Sequence, residues 1–300
     1  MRRWIALAAL LSAAAVGASA QTPRTKVVLL GTGTPNDDPN RWGPSVAIVV
    51  DERVYLVDAG VGVVRRAAAA RSGGVSALTA TSLSRVFLTH LHSDHTLGLP
   101  DLMFSPWVLE RTVPLDVFGP SGTADMVSHL EAAWRDDIAM RLYGLEPQRT
   151  RNYRAIVHEI TPGRVYQDDK VTVDAIAVSH GSWPQAFAYR FQTSDRVVVI
   201  SGDTRPLDAV AMACNGCDVL MHEVYSAEKL KLRTPEWQRY HSAFHTSTVE
   251  LAALAAKARP KMLVLYHQLF WGASDADLVK EIRAAGYHGL VMSGQDLRVY

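Results

Sequence analysis

One short segment of this 300-residue chain carries four metal-binding side chains within six residues. It follows the apolar run Val86-Phe87-Leu88, which reads as the end of a buried strand. Imidazole and carboxylate are ligands that suit zinc and neighbouring transition metals. Period-two alternation would point the first two imidazoles the same way, and the following turn would bring the next two residues to a second metal. The four side chains are those of His90, His92, Asp94 and His95.

Further candidate ligands stand at the ends of other strand-like apolar runs. His180 closely follows residues 171–178, Asp203 closely follows residues 197–200, and His267 directly follows residues 262–266. Functional sites of α/β proteins lie at the carboxyl ends of strands, so this repetition predicts one shared metal centre. A solvated, histidine-rich loop without metal is the alternative, and the further ligands argue against it.

Together these motifs resemble the metallo-β-lactamase fold superfamily, and within it the branch of ribonuclease Z and the zinc-dependent arylsulfatases. The resemblance covers roughly residues 26–300. It implies an α/β fold, an αββα sandwich of two mixed β-sheets with helices on the outer faces. Periodicity alone indicates only a mixed α/β protein. The matching segments are residues 31–35, 57–60 and 90–95, His180, Ser201-Gly202-Asp203-Thr204, His222-Glu223, His245-Thr246-Ser247 and His267.

The resemblance also assigns ligands to two Zn²⁺ ions, although manganese or iron would suit the same donors. Such a pair would hold a bridging hydroxide and clamp the attacking and leaving oxygens of a displacement. The first ion would take His90, His92 and His180, the second would take Asp94, His95 and His267, and Asp203 would bridge both.

Catalytic roles follow from the same resemblance. Asp94 could orient the attacking water or accept its proton, and His245 is the candidate general acid. Glu223 could hold His245 in orientation, as a carboxylate does in other histidine-dependent sites. His241 is the rival acid, and His222 is read as a structural, hydrogen-bonded residue.

Several residues around these motifs allow more than one interpretation. Asp58, which ends an apolar run, is either a hydrogen-bond partner of a ligand imidazole or a turn residue before Ala59-Gly60. Gly31-Thr32-Gly33-Thr34-Pro35 lacks the spacing of a nucleotide-binding loop and predicts a tight turn that lets backbone approach the metal site. Arg41 and Ser45 could reach an anionic substrate, or Arg41 could form a structural ion pair.

Four aromatic residues lie near the motifs and could wall an aryl-binding pocket, with the core as the alternative location. They are Trp107, Trp183, Phe270 and Trp271. Cys214 and Cys217, only three positions apart, predict either a local disulfide or two buried thiols. His129, His158 and His288 lie outside every motif and are expected to be surface or core residues.

Residues 1–20 have the pattern of a cleaved signal peptide: Arg2 and Arg3, an apolar stretch, then Ala18-Ser19-Ala20. The apolar stretch is too short for a stable membrane span. We therefore expect residues 21–300 to form a single metallo-hydrolase domain that is periplasmic or secreted. Loss of the two arginines changes the formal charge from +1 to −1, which leaves no basic footprint for strong nucleic-acid binding.

Strands and helices interleave along the chain, and residues 138–170 are the least regular stretch, expected to form a lid or insertion. Serine or threonine caps mark the starts of the last two helices, at Thr246 or Ser247 and at Ser274. Predicted strands are residues 26–31, 46–50, 54–58, 86–89, 115–118, 171–178, 187–192, 197–201, 218–222, 262–267 and 296–300. Predicted helices are residues 61–71, 123–137, 206–213, 247–258 and 275–285.

The functional expectation is an exported dinuclear-zinc hydrolase that cleaves small sulfate or phosphate esters, like an arylsulfatase or a phosphodiesterase. A ribonuclease Z-like endonuclease that processes tRNA 3′ ends is the first alternative. Two observations count against it: the signal peptide, and the 23 positions from His180 to Asp203, too few for the family's tRNA-gripping arm. Lactonase, β-lactamase and a metal-dependent binding protein are the others. The expected partner is a small anionic ester, and the resemblance allows a homodimer.

Overall fold

Thirteen strands form two sheets in the computed structural model, which describes residues 24–146 and 152–300. The signal peptide expected over residues 1–20 lies outside this range. The first sheet contains β1 (Thr25–Gly31), β2 (Ser45–Val50), β3 (Arg53–Val57), β4 (Arg85–Phe87), β5 (Leu115–Gly119) and β6 (Ala155–Glu159), in that order. The second contains β7 (Gly163–Gln167), β8 (Thr172–Val178), β9 (Ala186–Gln192), β10 (Val197–Ile200), β11 (Val219–Tyr225), β12 (Met262–Leu269) and β13 (Val291–Ser293), also in chain order.

Both sheets are mixed. In the first sheet, β1, β2 and β3 pair antiparallel, whereas β3 to β6 pair parallel. In the second sheet, β7 to β10 pair antiparallel and β10 to β13 pair parallel. The predicted ligands lie toward the carboxyl ends of parallel strands. Those of residues 90–95 follow β4, Asp203 follows β10, and His267 lies within β12.

Ten α-helices lie among the described residues. Apolar side chains of α1, α3 and α4 join the core on the outer face of the first sheet, and those of α6, α9 and α10 join the core on the outer face of the second. The helices are α1 (Val63–Ser72), α2 (Ser93–Thr96), α3 (Leu99–Val108), α4 (Thr123–Ala133), α5 (Arg135–Tyr143), α6 (Asp208–Cys214), α7 (Ala227–Leu230), α8 (Pro235–Phe244), α9 (Thr248–Ala258) and α10 (Asp275–Ala284).

A third core lies between the sheets and explains why they pack face to face. Strands of both sheets contribute to it through alternating side chains such as Val27, Leu29, Val198 and Ile200. Phe87 sits at its centre, stacked on Phe118 at 4.7 Å and edge-on to Phe191 at 5.5 Å. Two mixed sheets with helices outside confirm the predicted αββα sandwich.

Residues 138–170 differ from the prediction. The described part of this stretch completes α5 and then forms β6 and β7, which are edge strands of the first and second sheet. It therefore carries the chain from one sheet to the other and is not a lid. Their sequences AIVHE and GRVYQ are half exposed and mix polar with apolar residues, so their strand periodicity is weak.

The predicted strand 296–300 pairs with β1 only irregularly. One isolated bridge joins Val28 and Val299, and the amides of Leu297 and Tyr300 donate to carbonyl oxygens of β1, but the backbone turns through Leu297 at a φ of 66°. The predicted helix caps are present: Ser247 and Ser274 each form a capping box with the residue three positions on. Within the described residues, no helix is both long and apolar enough to span a membrane.

Candidate metal centre

Three imidazoles predicted to hold the first metal meet at the junction of the two sheets. Nδ1 of His92 lies 3.0 Å from Nε2 of His90 and 3.0 Å from Nε2 of His180. His90 and His92 follow β4 of the first sheet, and His180 follows β8 of the second, so the two sheets contribute to the same cluster. His90 and His180 are fully buried, whereas His92 is partly exposed. Solvent therefore reaches this group of nitrogens only on the side where His92 lies.

The second predicted group lies beside the first. Nε2 of His267 is 3.1 Å from Oδ2 of Asp94, and Nε2 of His95 is 3.5 Å from the same oxygen. Asp94 and His95 are held by the short helix α2, whereas His267 lies within β12, in the left-handed region with a φ of 45°. Such strain in a non-glycine residue persists only where surrounding structure enforces it, and it is common at functional sites.

Asp203 lies between the two groups. Its Oδ2 is 3.5 Å from Nε2 of His95, 3.5 Å from Nε2 of His267 and 4.0 Å from Nε2 of His180. It follows β10 in a turn that requires glycine: Gly202 has a φ of 59°, and a Cβ there would lie 2.7 Å from the carbonyl oxygen of Phe187. One carboxylate therefore faces nitrogens of both predicted metal sites.

The geometry of these atoms fits divalent metals. Two ligands of a tetrahedral zinc ion at ordinary bond lengths lie about 3.4 Å apart. The contacts within each group are 3.0 to 3.5 Å long. Nε2 of His95 and Oδ1 of Asp203 are buried and have no hydrogen-bond partner among the described residues. Buried polar atoms without partners are costly, so a metal that these atoms bind would relieve that cost.

Ionisation of the cluster is consistent with this fit. Burial lowers the pKa of His90 far below its usual value and that of His180 to about 4, so both rings are neutral and able to bind a metal at neutral pH. Burial also opposes a charge on His95, but the carboxylates of Asp94 and Asp203 outweigh it and raise the pKa of His95. Protons held there would be released when a metal cation binds.

Asp58 makes the predicted contact to a ligand imidazole. Its Oδ2 lies 2.7 Å from Nδ1 of His95, which directs Nε2 of that ring toward Asp94 and Asp203. Thr89 donates to both oxygens of Asp58, from its amide at 2.8 Å and from its hydroxyl at 2.9 Å. Asp58 itself has a φ of 61°, so its backbone is held in an unfavourable conformation to make these contacts.

His245 and Glu223 also form the predicted pair. Nδ1 of His245 lies 3.3 Å from Oε2 of Glu223 and 3.9 Å from Oδ2 of Asp203. The other carboxylate oxygen of Glu223 accepts the amide proton of Thr246 at 2.7 Å, which ties the pair to the start of α9. Burial raises the pKa of Glu223 and lowers that of His245 to about 4, so burial disfavours a charge on either member of the pair.

The two other histidines of this region differ in position. His222 is fully buried, and its Nδ1 lies 2.7 Å from the carbonyl oxygen of Glu223, a structural contact as predicted. His241, the rival acid, lies one helical turn before His245 and is stacked against Trp237 with ring centroids 5.6 Å apart. It lines the cleft above the ligand cluster and is a wall residue. Among the described residues, no carboxylate lies within 4.0 Å of its ring nitrogens.

The four aromatic residues predicted to wall a pocket lie in different environments. Trp271 lines the cleft, but Trp107 is 1% exposed in the core of the first sheet, and Phe270 lies under the guanidinium of Arg41. Nε1 of Trp183 donates to Nε2 of His92 at 2.7 Å. A His92 ring bound to metal through Nδ1 carries its proton on Nε2, so this indole would have to turn away.

Helix α8 supplies wall residues that the sequence did not reveal. Arg233, just before the helix, and Trp237 and Tyr240 within it line the cleft together with the ligand cluster. None of the three belongs to a ligand motif, so the spacing of the motifs did not predict that they line the cleft. The cleft has a volume of about 330 Å³, small for a ligand site.

A larger groove of about 990 Å³ lies between α1, α3 and α5. It contains none of the predicted site residues, and its only charged lining residues are Arg65, Asp101, Asp137 and Arg141. The chemistry therefore lies in the smaller cleft.

Arg41 and Ser45 have structural roles. Arg41 donates to both oxygens of Asp275 at 3.0 Å, and Ser45 donates to the backbone carbonyl of Asp58 at 2.9 Å. The glycine-rich turn packs against residues 41–43: a Cβ on Gly31 would lie 2.1 Å from the carbonyl oxygen of Gly43. The close approach of Gly31 is thus to this loop, whereas Pro35, at the end of the same turn, lines the cleft of the ligand cluster.

The two cysteines, Cys214 and Cys217, form the local disulfide, at the end of α6. The three histidines outside the motifs lie away from the centre. His129 and His288 are exposed, and His158 contacts Asp116 at 3.1 Å.

Comparison with known proteins is consistent with this geometry. Residues 53–268 match the family model described as "Beta-lactamase superfamily domain". A protein named ribonuclease Z from Mycobacterium sp. (strain KMS) is 36% identical over 246 residues, covering 81% of this chain and 84% of the relative. Another ribonuclease Z, from Mycobacterium bovis (strain BCG / Pasteur 1173P2), is 33% identical over 276 residues, covering 91% and 96%.

Among solved structures, the short form of human tRNase Z superposes with a TM-score of 0.68 at 21% identity, covering 92% of this chain and 98% of that one. At that identity the likeness concerns the fold, and it extends over nearly all the described elements.

Proposed function

Because this chain belongs to the beta-lactamase superfamily and has the fold of its metal-dependent hydrolases, we propose that it hydrolyses phosphodiester bonds in nucleotide esters and RNA. The observation that carries the proposal is the position of Asp203, whose Oδ2 faces both ligand groups. The relatives named ribonuclease Z support it, because a ribonuclease cleaves phosphodiester bonds. This reading replaces small sulfate esters, the first expectation from sequence, as the leading substrate class.

In this proposal His90, His92 and His180 would hold the first metal, and Asp94, His95 and His267 would hold the second. Asp203 would be shared by both. When bound, two divalent metals lower the pKa of water and neutralise charge on the phosphate. Burial disfavours a charge on Asp94, but the charge of His95 and the hydrogen bond from His267 outweigh it and lower the pKa of Asp94 to about 2. It is therefore available at neutral pH to accept a proton from the attacking water.

The remaining proton transfer falls to His245. As the water oxygen bonds to phosphorus and the ester P–O bond breaks, the leaving oxygen gains an electron pair and needs a proton. His245 gives it that proton, and Glu223, 3.3 Å away, holds the ring in orientation and replaces the lost proton. Glu223 is fully buried and His245 lines the cleft, so His245 lies between Glu223 and the bound ester.

A second candidate, hydrolysis of small aryl sulfates, is favoured by one observation: the cleft of about 330 Å³ is walled by aromatic rings and would enclose a single aryl ester. We also propose export, on the signal-peptide pattern of residues 1–20. An exported enzyme would meet extracytoplasmic nucleotide esters or RNA, not the tRNA precursors of the cytoplasm.

The test is a substrate comparison on residues 21–300 loaded with zinc or manganese. The substrates are a short single-stranded RNA, bis(4-nitrophenyl) phosphate, 4-nitrophenyl sulfate and a chromogenic cephalosporin. We expect both phosphodiesters to be cleaved faster than the other two, with activity abolished by a chelator and restored by metal. Faster turnover of the sulfate or the cephalosporin than of either phosphodiester would overturn the proposal.

A further inference from the structure

Helix α8 presents large aromatic side chains to the cleft, although it has little core of its own. His241 is its only buried residue. Trp237 is 48% exposed and Tyr240 is 38% exposed. Burial in the core therefore does not explain these rings. Both line the cleft that also contains Asp94, Asp203 and His267.

The rings are held in place by their neighbours. His241 is stacked on Trp237, with an interplanar angle of 24°, and its centroid lies 4.5 Å from that of Trp271. Tyr240 stacks on Phe244 at 4.3 Å. We call Trp237, Tyr240 and Trp271 the aromatic face. Because its rings are packed on each other or on His241 and Phe244, it loses little side-chain freedom when a ligand binds.

A cation stands at the edge of the aromatic face. The guanidinium carbon of Arg233 lies 5.6 Å from the ring centroid of Trp271, and Arg233 also lines the cleft. Among the described residues, no carboxylate lies within 4.0 Å of this guanidinium, whereas Arg239 on the same helix is paired with Glu236 at 3.6 Å. Arg233 is thus the cation at the mouth of the cleft that is free for an anionic ligand.

We propose that the aromatic face stacks the base of a nucleotide whose phosphate ester lies at the ligand cluster, and that Arg233 binds the next phosphate. This rests on the proposed phosphodiester hydrolysis and names its substrate class, single-stranded nucleotide esters. Bases of any sequence stack on aromatic side chains, and guanidinium groups bind phosphate well. A simple aryl sulfate would use the rings but would have no second anion for Arg233.

Two substrates with the same leaving group test the aromatic face: thymidine 5′-(4-nitrophenyl phosphate) and methyl 4-nitrophenyl phosphate. The quantity measured is the ratio of their kcat/KM values. We expect the parent protein to prefer the nucleoside ester by about tenfold or more, the scale of one base stacked on an aromatic ring. Trp237→Ala should lose most of this preference, and Trp237→Phe should keep most of it.

Trp134→Ala is the matched control, because Trp134 is also exposed, at 40%, and lies in the other groove. It should leave the ratio unchanged. An equal ratio in the parent protein and in Trp237→Ala would overturn the proposal.

Arg233 is tested with the nucleoside substrate carrying an additional 3′-phosphate. That phosphate should improve kcat/KM about tenfold in the parent protein and in Arg233→Lys, and the gain should disappear in Arg233→Ala. An identical gain in all three proteins would contradict this role.

A binding measurement separates this proposal from the proposed function. Thymidine 3′,5′-bisphosphate should quench tryptophan fluorescence of the parent protein, and Trp237→Ala should need a higher ligand concentration for the same fraction of quenching. If the parent protein binds this ligand but cleaves neither ester, phosphodiester hydrolysis fails and the subsite stands. If it cleaves both esters equally and shows no quenching, the subsite fails alone.

Discussion

Some of the predicted ligands are oriented by a neighbour that binds no metal itself, and Asp58, the partner of His95, is the clearest case. Its Oδ2 lies 2.7 Å from Nδ1 of His95, which leaves Nε2 as the free nitrogen. Asp58→Asn keeps the shape and tolerates the left-handed backbone, but it removes the charge that raises the basicity of the ring.

We expect Asp58→Asn to weaken metal binding at the second site by about 10- to 100-fold. Competition with a chromogenic chelator measures both sites separately. The first site, whose ligand His90 is linked to Asp58 only through the hydroxyl of Thr89, is the internal control and should lose less affinity. Equal loss at both sites, or at neither, would contradict this role for Asp58.

His245 makes a prediction that depends on the leaving group. An alkoxide leaving from ribose needs a proton, whereas 4-nitrophenolate leaves without one. His245→Ala should therefore slow RNA cleavage by about 100- to 10,000-fold and slow bis(4-nitrophenyl) phosphate turnover far less. His241→Ala is the comparison on the same helix face. If His241→Ala shows the larger leaving-group dependence, the acid is His241 instead.

The elements near the centre show what the sequence could and could not predict. The ligands were predictable because His90 to His95 are contiguous and each further ligand ends an apolar run. The edge strands β6 and β7 were not, because half-exposed edge strands have weak alternation. The wall formed by α8 was not, because Trp237 approaches Asp94 only through tertiary folding.

At the start of α9, the residue that caps the helix lies beside a residue that contacts the proposed catalytic pair. Ser247 caps the helix with Glu250, and the adjacent amide of Thr246 donates to Glu223. Ser274 caps α10 in the same way but has no contact with the centre. Ser247→Ala and Ser274→Ala form a matched pair.

Each substitution should lower the free energy of unfolding by about 1 kcal/mol, measured by urea denaturation. Only Ser247→Ala should also lower kcat, because Thr246 then holds Glu223 less firmly. If Ser274→Ala lowers kcat as much, the effect is one of general stability and not of the Glu223 contact.

At the scale of the whole molecule, the two sheets are joined by a buried core and by a polar cluster around Asp168. This carboxylate accepts hydrogen bonds from Tyr55 of β3 at 2.7 Å and from Tyr166 of β7 at 3.0 Å. Burial opposes its ionisation, but the hydrogen bonds from Tyr55 and from the amides of Lys170 and Val171 lower its pKa to about 2.

A carboxylate whose pKa is lower in the folded than in the unfolded protein stabilises the fold above its unfolded value of 3.8. That stabilisation is lost as the pH falls through about 2. Asp168→Asn should therefore lower the free energy of unfolding at pH 7 by about 1–2 kcal/mol, allowing for partial screening by solvent.

The difference from the parent protein should shrink at pH 3, measured by urea denaturation of metal-free protein. Asp169→Asn, at the exposed neighbouring position, should have the smaller effect. A difference that is the same at both pH values would show that ionisation of Asp168 does not contribute.

We propose that one carboxylate, Asp203, joins two metal sites into a single hydrolytic centre. The most direct measurement is the number of metals bound per chain, by elemental analysis, beside the turnover of bis(4-nitrophenyl) phosphate, in the parent protein and in Asp203→Ala. The parent protein should bind two metals and cleave the ester, whereas the variant should bind fewer than two metals, with turnover reduced about 100-fold or more. Two retained metals with unchanged turnover in Asp203→Ala would contradict it.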